Sequence, residues 1–147
     1  MKLNLEGKVV LITGGSKGLG LACARAFAGE GAKVAIASRS QDNLDKALDV
    51  LRKEGFDVVA IRADLAQAPE AKALVARTEQ QLGPVDVLVN SAGAAKRHTM
   101  DEYDEEAWRQ GMNSKYFQYV NAMDAVRAGM IERGRGAIVN IIGNGGK

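Results

Sequence analysis

The sequence predicts an α/β fold: a doubly wound parallel sheet of about five strands between two layers of helices, three layers in all. Short β-branched runs alternate with longer stretches of helical periodicity. Each run is nearly continuous in apolar residues, as expected of strands covered on both faces. A glycine-rich loop follows the first run directly. The resulting βαβαβαβαβ order implies right-handed crossovers into a parallel sheet.

The first strand is expected over 8–13 (KVVLIT), the second over 33–38 (KVAIAS) and the third over 57–63 (DVVAIRA). The fourth follows at 85–90 (VDVLVN) and the fifth at 136–142 (GAIVNII). Helices are expected over 18–29, 41–54, 67–81 and 104–131, with Gly31, Gly55, Gly83 and Gly134 ending or following them as C-terminal caps. In the longest helix Trp108, Met112, Tyr116, Val120, Met123, Val126 and Met130 recur at three- and four-residue spacings, which predicts one apolar face. The acidic run Asp101–Glu106 sits where that helix should start, favourable at its positive end.

A chain of 147 residues can bury a real core, and one domain spanning 1–147 is expected. A net charge of +2 without a basic run argues against a nucleic-acid partner. No apolar stretch approaches the roughly 18 residues that cross a membrane, and the N-terminus lacks the pattern of a signal peptide. The single cysteine, Cys23, cannot form an internal disulfide, which fits a reducing, cytoplasmic setting. It falls between alanines on the first helix and reads as a small packing residue.

Seventeen glycines against two prolines ask where the backbone turns sharply or approaches something closely. The loop TGGSKGLG, Thr13 to Gly20, supplies one answer. Gly14 permits a tight strand-to-helix turn, Gly18 leaves room for a pyrophosphate against bare backbone, and Gly20 lets the helix pack closely. The helix start at Ser16–Leu19 then offers free N–H groups and a positive dipole end to phosphates. Between a strand and a helix in a βαβ unit, this loop is the mark of a Rossmann-like dinucleotide-binding domain, not of a P-loop.

With these motifs in order, the chain resembles the short-chain dehydrogenases/reductases along its whole length. Thr13-Gly14 with Gly18 and Gly20 matches the family's TGxxxGxG loop, and Asp64-Leu65 matches the pair that contacts the adenine. Asn90-Ser91-Ala92-Gly93 resembles the NNAG motif, with serine for the second asparagine. Asn113 matches the helix asparagine of the catalytic tetrad, and GAIVNII the strand that normally ends in the catalytic serine. The resemblance implies cofactor contacts at Gly14, Ser16, Lys17, Gly18, Leu19, Gly20, Asp64, Leu65, Asn90, Ala92 and Gly93, and a proton-relay role for Asn113.

An acidic residue at the end of the second strand would bind a ribose 2′-hydroxyl and repel a 2′-phosphate. Here Ser38 and Arg39 stand there, and a guanidinium forms a charge-assisted fork to phosphate. With Lys17 as a second cation, NADP(H) is favoured over NAD(H).

The resemblance also implies a Tyr-x-x-x-Lys pair on a helix after the fifth strand. None of the three tyrosines qualifies: Tyr103 is followed by Ala107, Tyr116 by Val120 and Tyr119 by Met123. Gly143, or Ile142, occupies the serine position and offers no hydroxyl; Asn144 is a weaker substitute donor or a turn residue. The chain is therefore expected to be a truncated member, inactive as it stands, with its fifth strand at an open sheet edge prone to pairing with other chains.

His98 has no metal-ligand spacing around it and is expected on the surface, with a place for Lys96–Met100 at a substrate mouth as the second reading. Asp86 reads as structural. The parent function is expected to be an NADP(H)-dependent oxidoreductase interconverting a carbonyl and an alcohol, as a homodimer or homotetramer. The alternative is a dinucleotide-binding sensor or scaffold without turnover. A 3-oxoacyl thioester, a steroid, a sugar and a small ketone are all compatible substrates.

Overall fold

The computed structural model describes residues 3–93 and 98–143. Its elements are β1 (Val9–Thr13), α1 (Gly18–Gly29), β2 (Lys33–Ser38), α2 (Gln41–Lys53), β3 (Val58–Arg62), α3 (Ala68–Leu82), β4 (Val87–Asn90), α4 (Glu105–Arg133) and β5 (Ala137–Asn140). The strands form one sheet in the order β3-β2-β1-β4-β5. Every pairing is parallel. All nine expected strands and helices are present, and their limits move by at most a few residues. A short 3-10 turn at Met100–Glu102, capped reciprocally by Thr99 and Glu102, was not anticipated.

The alternation of side chains along β1 builds the three layers. Val10 and Ile12 pack with Ala24, Leu44 and Leu51 beneath α1 and α2. Val9 and Leu11 point the other way, to Leu74, Val75, Ala122 and Val126 beneath α3 and α4. Leu11, Ile12, Ile36 and Leu88 are fully buried; each contributes roughly 1.5–3 kcal/mol by leaving water.

Helix ends follow local chemistry. Ser40 Oγ accepts from the Asn43 N–H, and Asp104 Oδ1 accepts from the Ala107 N–H at 2.8 Å, so α2 and α4 start with capped donors. Asp104, Glu105 and Glu106 do place the acidic run at the positive end of α4. Gly31, Gly55, Gly83 and Gly134 follow their helices with positive φ, as expected of caps.

Packing at the far edge of the sheet divides the expectations. The fifth strand has the composition of one covered on both faces, yet it lies at the open edge expected of it in this chain, and all four residues of β5 are exposed, Ile138 by 40% and Val139 by 46%. It is the last strand of the sheet, so only β4 shields it laterally. The apolar stripe of α4 also splits. Val126 and Met130 are buried, whereas Trp108, Met112 and Tyr116 are exposed. The buried face of α4 runs instead through Gln118, Ala122, Val126 and Met130, the positions that meet β4 and α3.

Side-chain hydrogen bonds lock the strand ends together. Asp86 Oδ2 accepts from the Val9 N–H at 3.0 Å, confirming a structural carboxylate at the start of β1 and β4. At the other end, buried Thr13 donates through Oγ1 to Asn90 Oδ1 at 3.3 Å and accepts from the Ser91 N–H at 3.2 Å. Asn90 Nδ2 continues the chain to Asn140 Oδ1 at 2.9 Å, linking β1, β4 and β5. Replacing Thr13 by valine keeps the shape and removes the hydroxyl, leaving buried groups unpaired. Thr13→Val should cost about 2–3 kcal/mol in urea unfolding; a loss below about 0.5 kcal/mol would show that this junction is energetically idle.

Candidate functional site

A groove of about 650 Å³ runs across the carboxyl ends of the strands. The glycine loop forms one wall through Gly14, Ser16, Lys17, Gly18 and Leu19. Ser38 and Arg39 close the β2 end, with Ala63 and Leu65 below them. Ser91, Ala92 and Gly93 leave β4, and Ile141, Ile142 and Gly143 leave β5, to complete the opposite end.

The loop owes its shape to missing side chains. A Cβ on Gly14 would meet the backbone of Ala92 at 2.7 Å, and one on Gly20 would stand 2.2 Å from the Gly14 carbonyl oxygen. Gly20 therefore packs α1 onto the loop rather than onto the sheet. Gly15, which motif spacing passed over, lies against Ile36, 2.6 Å from where its Cβ would be. Gly18 differs: its φ is +50° but nothing lies within 4 Å of its Cβ position. The first turn of α1 has no acidic residue and no side-chain cap. Open space above bare backbone at an uncapped helix start fits a pyrophosphate group.

The groove is cationic. Its charged lining residues are Lys17, Arg39 and Lys115, and no carboxylate lines it among the described residues. None of the three side chains makes an ion pair with a described residue. Ser38 accepts from the Ser40 N–H through Oγ at 3.3 Å, and the Arg39 carbonyl accepts from Arg62 Nε at 3.0 Å, which fixes the backbone at the β2 end.

Of the expected site residues, Gly14, Ser16, Lys17, Gly18, Leu19, Ser38, Arg39, Leu65, Ala92 and Gly93 line the groove. Gly20 and Asn90 lie behind it, Asn90 fully buried in the Thr13 junction. Asp64 faces a neighbouring depression with Arg39, Arg62, Glu70 and Arg77. Its Oδ1 accepts from the Ala66 N–H at 3.1 Å, and its own N–H donates to Glu70 at 2.6 Å.

Asn113 is exposed and outside the groove, in a depression shared with His98, Tyr103 and Trp108. Two residues on, Lys115 does enter the groove, together with Gln118 and Tyr119. At about 100° per residue, positions 113 and 115 point to nearly opposite sides of a helix. Positions 115, 118 and 119 share one face, a spacing from which this trio was recognisable. Tyr119 donates to the Ile141 carbonyl at 2.6 Å, and burial pushes its phenol above the ordinary tyrosine value.

His98 is partly buried rather than on the surface, because its ring packs edge-on against Tyr103, with centroids 5.3 Å apart. Of the expected mouth segment, Lys96 lies outside the described residues, as does Asn144; Met100 is 87% exposed. Cys23 is half-buried against the α1–α2 side of the core. Among the described residues no cluster of three or more His, Cys, Asp or Glu side chains is placed to hold a metal, and no helix is long and apolar enough to cross a membrane.

A parallel sheet with this glycine loop between β1 and α1, and a groove at the strands' carboxyl ends, defines a Rossmann-like α/β domain. The chain belongs to the short chain dehydrogenase family, whose sequence profile matches residues 8–147. The ketoacyl reductase HetN of Nostoc sp. is 36% identical over 143 residues, 97% of this chain and 50% of that protein. A crystal structure of an actinorhodin polyketide ketoreductase variant with NADPH superposes with a TM-score of 0.89 at 36% identity, covering 95% of this chain and 54% of that one. A gluconate 5-dehydrogenase from Burkholderia cenocepacia, solved with NADP and tartrate, gives a TM-score of 0.82 at 33% identity, covering 92% and 53%. The chain thus spans about half the length of the relatives it matches.

Two glycines with positive φ predict losses of different size. A Cβ on Gly93 would stand 1.8 Å from the Ser114 carbonyl oxygen, so Gly93→Ala should unfold the α4 contact at a cost above about 3 kcal/mol. Gly18→Ala meets no atom and should cost about 1–2 kcal/mol, from its positive φ alone. Thermal unfolding of both variants checks the order; equal losses would contradict it.

Proposed function

We propose that the protein to which this chain belongs is an NADP(H)-dependent oxidoreductase that interconverts a carbonyl and an alcohol. The observation that carries the proposal is the groove, with a glycine loop along one wall and Lys17 and Arg39 beside Ser38, where an acid would favour NAD(H). When bound, the dinucleotide supplies the hydride chemistry.

The chain's own residues bind and orient. The bare backbone at Gly14 and Gly18 and the N–H groups of Ser16 to Leu19 take the pyrophosphate, with Lys17 adding charge. Arg39, Ser38 and Lys17 take the 2′-phosphate. Leu65 and Ala63 face the adenine, with Asp64 at its edge, and Ala92 and Gly93 support the second ribose. Asn90 acts indirectly, by holding the β4 end through Thr13 and Asn140. Asn113, the tetrad position by resemblance, lies outside the groove, so any part it takes in a proton relay requires a neighbour to reach it.

A second reading, dinucleotide binding without turnover, is favoured by one observation. Gly143 lines the groove where the family places a serine, and it has no hydroxyl. This chain also contains no Tyr-x-x-x-Lys sequence, so we expect it to bind cofactor without reducing a carbonyl. A ketone and aldehyde panel with NADPH, read at 340 nm on the whole protein, separates the readings: oxidation of NADPH supports the enzyme, and binding without oxidation supports the second.

A homodimer or homotetramer in the cytoplasm is part of the same proposal. It is supported by the exposed Trp108, Met112, Tyr116 and Phe117 on α4. Light scattering showing only a monomer would remove it.

Cofactor preference has its own test. Arg39→Glu should weaken NADPH at least about tenfold relative to NADH in equilibrium titrations, because a carboxylate then faces the phosphate. An unchanged ratio would take Arg39 out of the 2′-phosphate site.

A further inference from the structure

We infer that Arg62, on β3, is a positioning residue for cofactor preference: it keeps Arg39 available to the 2′-phosphate from outside the groove, without touching the cofactor. The inference rests on the NADP(H) reading above and adds to it a residue that the groove itself does not contain.

Arg39 stands between two cavities. It lines the groove, and it also lines the neighbouring depression with Arg62, Asp64, Glu70 and Arg77. Among the described residues it is the one that borders both. Its guanidinium can therefore turn to the groove and meet a phosphate, or turn to the depression and pair with Asp64 or Glu70. Pairing with either carboxylate would neutralise the charge on which a preference for NADP(H) depends. Arg39 makes no ion pair with a described residue, although both carboxylates line the same depression.

Arg62 accounts for this in two ways. Its Nε donates to the Arg39 carbonyl at 3.0 Å. That bond starts from a rigid base, because Arg62 is the register partner of Ser38 in the β2–β3 ladder and the Ala63 N–H donates to the Ser38 carbonyl at 3.1 Å. Arg39 is the single link between Ser38, which ends β2, and Ser40, the N-cap of α2. With its carbonyl held, that link keeps few conformations.

The second effect is charge. In the depression three guanidinium groups share two carboxylates. Those carboxylates are already engaged, since Asp64 Oδ1 accepts from the Ala66 N–H at 3.1 Å and Glu70 Oε2 from the Asp64 N–H at 2.6 Å. The positive charge of Arg62 makes the depression unfavourable for the Arg39 guanidinium and leaves the groove as its place. Arg62 does not line the groove, which separates its role from that of Arg39.

The NADPH and NADH affinities of the 147-residue chain, read from the fluorescence of the reduced nicotinamide, test this without turnover. The ratio of the two is the readout, because damage to the fold or to the groove weakens both alike. Arg62→Met should lower the preference for NADPH about fivefold and keep NADH binding within about twofold. Arg62→Lys, which keeps the charge and a donor for the carbonyl, should restore most of the preference. Circular dichroism and melting should match the wild type, because Arg62 is exposed. An unchanged ratio in Arg62→Met, equal weakening of both cofactors, or no recovery in Arg62→Lys overturns the inference, and a wild-type preference for NADPH leaves the cofactor reading standing. Wild-type chain with no preference for NADPH, whether it binds NADH or neither cofactor, overturns both.

Discussion

The strand ends that border the groove are tied together through one buried hydroxyl. Thr13 closes β1, the central strand, and bonds to Asn90 and to the backbone leaving β4. Asn90 in turn reaches Asn140 on β5. Main-chain bonds carry the ladder one step past the strands, from the Ser91 N–H to the Thr13 carbonyl and from the Ile141 N–H to the Asn90 carbonyl. Side chains reinforce it there. The polar atoms are fully buried at Thr13 and Asn90, so an unmade bond is costly. The glycine loop and the Ser91–Gly93 turn start from the two residues this junction fixes, and their mutual spacing is set by it.

How much of this was legible in the sequence follows from what each signal encodes. Strands β1, β2 and β4 announce themselves because central parallel strands are apolar on both faces, which leaves no ambiguity of period. Helix ends were legible through glycine and through the acidic residues before α4, whose effects are local in sequence. β5 has the composition of a buried strand, and its edge position was legible only from the family resemblance. Composition records what a strand is suited to, and only topology decides what covers it. The α4 stripe divides for a related reason. Its apolar residues have the right spacing, but the small Ala122 and the polar Gln118 occupy the face that meets the rest of the domain.

The candidate site was legible wherever a glycine or a loop carried the function, and less so where a helix did. A motif asparagine at position 113 reads well in one dimension. Helical phase turns it away from the groove, since a shift of two residues carries a side chain to the opposite side. Asn90 shows the converse. Its motif match is sound, yet the side chain is consumed in holding strands together and never reaches the groove. Motif residues thus divide into those that line the groove and those that hold its walls.

The strand order also has a consequence for how the chain comes to be folded. β1 sits in the middle of the sheet although it is the first strand in sequence, with β2 on one side and β4 on the other. Its contacts with β4 join residues 77 positions apart, as at Val9–Asp86 and Thr13–Asn90. A ribosome delivers β1, β2 and β3 well before β4. In that interval the most apolar strand of the domain presents a bare hydrogen-bonding edge to the cell, and only the arrival of residues 86–90 seals it. The central strand is the earliest made yet keeps one edge open until the fourth strand arrives, so the nascent chain is long vulnerable at a segment that the finished fold guards well.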